Sequence, residues 1–183
     1  MSYLGIIAGL GNPGPRYERT RHNYGWIVLD ELVKELKGSF SDSSDNSVSI
    51  SKIDLEEKTI ILVKPLTYMN LSGEPLVAIR DYYKIPNENV LVLHDEVDIP
   101  FGELRLKKGG GEAGHNGLKS ISECFGSRDY QRLRLGIGKP LHPDYAVSDW
   151  VLGRFNEEEE KELKRLVPMA IQKAYGVVKN WGK

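Results

Sequence analysis

The chain has 183 residues, of which 40% are hydrophobic, and a formal charge of −1. That content suffices for one soluble domain spanning residues 1–183 with a sizeable core, and no apolar run approaches the length of a membrane span. A single cysteine, Cys124, excludes an internal disulfide framework and a multi-cysteine zinc site, and it fits a reducing, cytoplasmic setting.

The first apolar run, Tyr3 to Ala8, is brief and bounded by glycine, so it reads as a buried strand. It lacks a basic start and breaks at Gly9, unlike a secretory leader. The following Gly9-Leu10-Gly11-Asn12-Pro13-Gly14 formally matches the dinucleotide fingerprint G-x-G-x-x-G. That fingerprint works only by opening a helix whose N-terminus holds a pyrophosphate. Here Pro13 and Pro15 flank the third glycine, and the amphipathic pattern resumes only near Tyr24, with Leu29, Leu32, Val33 and Leu36 on one face. A helix starting that late cannot present its dipole to the loop. Between loop and helix stands His22, the one nearby side chain whose ordinary titration range suits proton transfer from water near neutral pH.

Gly38 to Asn46 is rich in Ser and Asp and reads as a flexible connection. Val48 to Ile53 and Thr59 to Val63 read as strands, the second a continuous apolar run of the kind found at a sheet centre. Ser72 is placed to cap a helix running through Tyr83, with Pro75 in its first turn. Tyr68, Met69 and Asn70 then lie between strand end and helix start, the usual ligand-facing edge of an α/β sheet. For Met69, a gap-filling packing role competes with a substrate contact.

Asn89 to Leu93 is a further strand, running into His94-Asp95-Glu96-Val97-Asp98. Two readings stay open for this cluster. One is a metal site assembled from His22, His94, Asp95 and Asp98; the other is an aspartate that orients a histidine elsewhere in the chain. No H-E-x-x-H spacing supports the first.

Leu104 to Leu106 reads as an edge strand, with Arg105 and Lys107 facing one way. Five glycines within Gly109 to Gly117 imply either mobility or close backbone approach to a ligand, and no Walker A loop can be aligned there. A short helix is expected from Leu118 to Phe125 and a last strand from Gln131 to Ile137, with Arg132 and Arg134 on one face. Gly138 to Ser148 reads as irregular. Asn156, followed by four glutamates, is placed to cap a C-terminal helix in which Pro168 predicts a break or kink. Strands and helices alternate throughout, which points to a three-layer α/β domain, a twisted mixed β-sheet flanked by helices.

Charge is unevenly spread. Glu103 to Lys139 holds eight basic residues against four acidic, a local excess of +4 in a chain that is otherwise negative. Such a surface suits a phosphate-bearing partner, and equally an ordinary solvated face or a non-catalytic RNA-binding module.

Three segments, GLGNPGPRYERTRHNYG, KPLTYMNLSG and HDEVDIPFGELRLKKGGGEAGHNGLKSI, followed by RLRLGIG, resemble the signature blocks of bacterial peptidyl-tRNA hydrolases in the expected order. The resemblance spans nearly the whole chain. It implies a monomeric esterase that needs no metal or other cofactor and cleaves the bond between a peptide, or an N-blocked amino acid, and the 3′ end of tRNA. On this reading His22 activates water and Asp95 orients its imidazole. Asn12, Tyr17, Tyr68, Met69, Asn70, His115 and Asn116 form the substrate groove, while Lys107 and Arg134 engage a tRNA phosphate. Peptidyl-tRNA would be the partner, with no membrane or protein partner implied.

Overall fold

The computed structural model describes residues 2–183. Seven strands form one sheet: β1 (Ser2–Gly9), β2 (Ser41–Asp42), β3 (Val48–Leu55), β4 (Lys58–Pro65), β5 (Val90–Glu96), β6 (Leu104–Lys108) and β7 (Gln131–Gly136). Their order across the sheet is β2-β3-β4-β1-β5-β7-β6. The four central strands run parallel, while β2, β3 and β6 add antiparallel edges. The central strands carry uninterrupted apolar runs such as Ile60–Val63 because both their faces are covered.

Among the described residues there are five α-helices: α1 (Tyr24–Glu35), α2 (Gly73–Tyr82), α3 (Asn116–Phe125), α4 (Val147–Val151) and α5 (Glu157–Val178). On one face, α1 and α5 bury Val28, Leu32, Leu163, Val167 and Ile171 against Ile7, Leu62, Leu91, Leu93 and Leu135. On the other, Leu76, Leu118, Ile121 and Phe125 from α2 and α3 cover Ile6, Ala8, Ile61, Val63 and Val92. Alternate residues of each central strand feed the two cores, which makes three layers. Among the described residues, no helix is long and apolar enough to cross a membrane.

Four local expectations change. Ser72 does not cap α2; its hydroxyl donates to the Met69 carbonyl, and the Gly73 amide is taken by Ser120 Oγ from α3. Pro168 does not end α5. It sits on the exposed side of a helix whose inner stripe is buried on the sheet, so the carbonyl it leaves without an amide faces solvent. Within the expected flexible connection, Ser41 and Asp42 pair with β3. The irregular stretch after Gly138 ends in α4, whose Trp150 indole donates to the Gly138 carbonyl at 2.9 Å.

The topology brings the ends of β1 and β5 together. The chain leaves β1 for α1 on one face and reaches α3 on the other after β5, so a crevice opens between these neighbouring strands. The first turn of α1 lies directly on that edge. A Cβ at Gly25 would stand 2.2 Å from the Leu93 carbonyl oxygen, a contact only glycine permits.

Candidate active site

The loop after β1 continues the sheet for one bond, Leu10 N–H to the Leu93 carbonyl at 3.1 Å, and then delivers Asn12, which is buried. Asn23 holds that loop from the side. Its Oδ1 accepts the Asn12 amide at 2.8 Å, and its Nδ2 donates to the Asn12 carbonyl at 3.0 Å. The Asn12 side chain reaches across to the turn after β4, where its Oδ1 accepts the Met69 amide at 2.8 Å. Because Met69 supplies a donor, the amide orientation of Asn12 is decided: its Nδ2 is the group left to act. Asn23 escaped the sequence reading, since its position beside His22 carries no sign of which neighbour it will bridge.

His22 lies in a single 3₁₀ turn, Arg21–Asn23, just before α1. The Arg21 amide donates to the Gly153 carbonyl at 2.9 Å, the Phe155 amide to the Arg19 carbonyl at 3.1 Å, and Thr20 bridges Arg154. A remote part of the chain thereby fixes the turn. His22 Nδ1 donates to the Asp95 carboxylate, 2.8 Å from Oδ2 and 3.0 Å from Oδ1. Asp95, near the end of β5, is buried and accepts a second imidazole: His115 Nε2 donates to Oδ1 at 2.9 Å.

The protonation of His115 follows from its place as N-cap of α3. Its Nδ1 accepts the Gly117 amide at 3.1 Å and the Leu118 amide at 3.3 Å, so Nδ1 carries no proton and Nε2 must. Asp95 therefore meets two N–H donors. Burial alone would raise its pKa, but the two imidazoles and their hydrogen bonds outweigh that and hold the carboxyl well below the usual range. Burial likewise disfavours charge on His22, yet the attraction and hydrogen bond of Asp95 prevail, and its pKa lies above the ordinary 6.5. With Nδ1 committed to Asp95, neutral His22 presents Nε2 as an acceptor. That is the arrangement a general base requires.

The quartet His22, His94, Asp95 and Asp98 is not assembled. His94 Nδ1 donates to the Asp95 carbonyl at 2.8 Å, burial pushes its pKa down to about 3, and Asp98 stands 3.5 Å from the Lys139 ammonium. The cluster that does form is His22, Asp95 and His115, whose candidate ligand atoms lie within 4.8 Å of one another. Its chemistry suits protons better than a cation. A metal on His115 Nε2 would demand an imidazolate, because Nδ1 is already an acceptor.

Tyr17 and Tyr68 form an edge-to-face pair with ring centroids 6.3 Å apart, and Tyr68 is 58% exposed. Met69 is buried in the α2–α3 core, so packing is at least part of its work. Asn70 and Asn116 are exposed, in the turn before α2 and at the first position of α3. On the antiparallel pair β6–β7, Lys107 stands opposite Arg132 and Arg105 opposite Arg134. Facing residues share a side of the sheet, so Lys107 and Arg134 project together, as their spacing predicts. Arg105, Arg128 and Lys139 pair with Glu103, Glu112 and Asp98, whereas Lys107 and Arg134 form no ion pair among the described residues.

The peptidyl-tRNA hydrolase family pattern matches residues 6–182. The peptidyl-tRNA hydrolase of Nitratidesulfovibrio vulgaris (strain Miyazaki F) is 46% identical over 180 residues, covering 94% of this chain and 89% of that protein. That of Bacillus subtilis (strain 168) is 43% identical over 167 residues, covering 91% and 88%. The crystal structure of the Acinetobacter baumannii enzyme superposes with a TM-score of 0.89 at 35% identity, covering 98% of this chain and 90% of that one. With fold, chain length and sequence all in agreement, this chain belongs to the peptidyl-tRNA hydrolase family and is a hydrolase.

Proposed function

We propose that this protein hydrolyses the ester joining a peptide, or an N-acylated amino acid, to the 3′ end of tRNA, acting as a single monomeric catalytic domain in the cytoplasm. The observation that carries the reading is the His22–Asp95 pair, anchored from behind by His115. Water attacks the ester carbonyl carbon while His22 Nε2 takes its proton. The C–O bond to the ribose then breaks, and the same proton passes to the departing 3′ oxygen. The products are a free carboxylic acid and a tRNA with its hydroxyl restored. A ribose hydroxyl leaves more easily than an amine, so a positioned base and water suffice without a covalent nucleophile.

Asparagines do the neutral recognition. Asn70 and Asn116 are uncharged and exposed, free to donate to the ester oxygen and to the peptide backbone. Asn12 has a narrower task. Its Oδ1 is spent on the Met69 amide, so it offers only Nδ2. An N-acyl group presents a carbonyl to that donor, whereas the ammonium of a free aminoacyl-tRNA presents another donor. Tyr17 and Tyr68 supply aromatic faces to the tRNA end, and Lys107 and Arg134 meet a phosphate.

Hydrolysis of N-acetylaminoacyl-tRNA in excess chelator tests the reaction: turnover at the untreated rate is expected, and its loss would return the metal reading. Asn12→Asp tests discrimination. The new carboxylate still accepts the Met69 amide but replaces the N–H donor by an acceptor, which attracts an ammonium. Relative hydrolysis of free over acetylated substrate should rise by roughly tenfold, the worth of about 1.4 kcal/mol for one reversed polar contact. An unchanged ratio would remove Asn12 from that role.

For the phosphate contact, Lys107→Ala with Arg134→Ala should raise KM for full-length tRNA. The log–log salt slope of kcat/KM should flatten by about 1, as expected when a neutralised phosphate is lost. A short substrate ending in the 3′ nucleotides lacks the distant phosphate and should be nearly unaffected. Equal losses on both substrates would assign the pair to the reaction centre or to the fold.

A further inference from the structure

Arg132, the second residue of β7, is among the largest side chains the fold buries completely, at 1% exposure. Buried cations are normally matched by a carboxylate, because an uncompensated charge in the interior is costly. Arg132 has no such partner among the described residues. Its guanidinium donates instead to main-chain carbonyls: to Gly110 at 2.8 Å and to Gly111 in the glycine-rich segment, and to Arg128 at 3.4 Å just before β7. It rests 4.5 Å from the ring of Tyr130, whose hydroxyl is tied to Ser122 at 2.9 Å and whose carbonyl accepts the Gly109 amide at 3.0 Å. The loop is thus clamped from beneath by one fork.

One group of the proposed site rests directly on that loop. Lys107, opposite Arg132 in the β6–β7 register, lays its side chain against Gly110, where an added Cβ would come within 2.7 Å of Nζ. The far end of the loop is held separately at the start of α3, where His115 Nδ1 accepts the Gly117 and Leu118 amides and Nε2 donates to Asp95, so the ester pocket does not rest on the Arg132 fork. Neutral carbonyl dipoles hydrogen-bond the Arg132 charge without cancelling it, so its positive field persists below Lys107 and Arg134.

We propose that Arg132 is a positioning residue for the tRNA-phosphate contact: it sets the Gly109–Gly114 loop so that Lys107 and Arg134 hold a phosphate at a defined distance from the ester pocket, and its own uncancelled charge reinforces the hold. This rests on the phosphate role proposed for Lys107 and Arg134. The competing reading is that Arg132 merely fills and stiffens the β7 region.

Arg132→Gln, which can reach one carbonyl but carries no charge, and Arg132→Lys, which keeps the charge but not the fork, separate the two. Each is assayed on full-length N-acetylaminoacyl-tRNA and on a short 3′-terminal fragment, and amide hydrogen exchange of Gly109–Gly114 is followed in the free protein. Arg132→Gln should raise KM on full-length tRNA by roughly fivefold, a loss typical of one screened phosphate contact, while KM on the fragment holds. Loop amides should exchange faster in both variants, and Arg132→Lys should recover part of the KM but not the protection. Should Arg132→Gln fail to fold, Gly110→Ala stands in: its Cβ displaces Lys107 and strains a φ of +97°, and it should raise KM on full-length tRNA alone. A fall in kcat shared equally by both substrates, with both KM values and loop exchange unchanged, would overturn the proposal. If Lys107→Ala leaves full-length KM untouched, the phosphate role itself fails, whereas faster loop exchange in the Arg132 variants still reports the clamp.

Discussion

His22→Ala is expected to lower kcat by about 10² to 10⁴, the range that one positioned general base supplies, while thermal stability and tRNA affinity stay close to wild type. The side chain is near the surface of the crevice, its one strong partner is Asp95, and the turn that carries it is held by main-chain bonds that alanine keeps. In the unaltered protein the same residue should shape the acid limb of kcat/KM. The base works only when neutral, so activity rises with pH through the His22 pKa, which lies above the ordinary 6.5 because Asp95 favours the imidazolium. The limb should therefore sit on the alkaline side of that value. Near-wild-type turnover by His22→Ala would sink the assignment.

Asp95→Asn should be nearly as damaging, by roughly 10³-fold in kcat, although the amide is isosteric. The reason is the number of donors. Asp95 accepts N–H groups from both His22 and His115, and an asparagine offers one oxygen and one NH₂ group. His115 cannot yield, because its Nδ1 is occupied by the first amides of α3 and its proton must remain on Nε2. The oxygen therefore goes to His115, and the NH₂ group faces His22, forcing the histidine proton onto Nε2 where the free lone pair is needed. His115→Asn combined with Asp95→Asn should recover part of the loss, since an amide at 115 can turn to accept. A single Asp95→Asn variant with only a small loss would mean that the carboxylate does not set the tautomer.

Much of the molecule is legible in its sequence. Continuous apolar runs such as Ile60–Val63 marked central strands because burial on both faces leaves no polar alternation. Asn156 marked the start of α5, and the structure adds the reciprocal bond from Glu159, since capping is decided within four residues. Elements held by distant partners left no such trace. Two residues of β2 form a strand only because β3 lies beside them, and α4 is tied down by the Trp150 indole and by Arg21, whose guanidinium lies 3.6 Å over the Trp150 ring.

The candidate site divides along the same line. Residue types and loop positions put His22, Asp95 and Asn70 within reach of a reading from sequence, because chemistry restricts which side chains can act as base, orienter or neutral donor. Asn12 and Asn116 are reached only through the resemblance to the family's signature blocks. The sharing of Asp95 between His22 and His115, the bridging of the Asn12 loop by Asn23, and the seating of Arg132 under the glycine-rich loop were decided by tertiary structure alone. Each joins segments 11 to 73 positions apart in the chain. Local propensity and hydrophobic period carry no information at that range; the fold of the β1–α1 connection and the strand order β1-β5-β7-β6 bring those backbones together and determine which donor meets which acceptor.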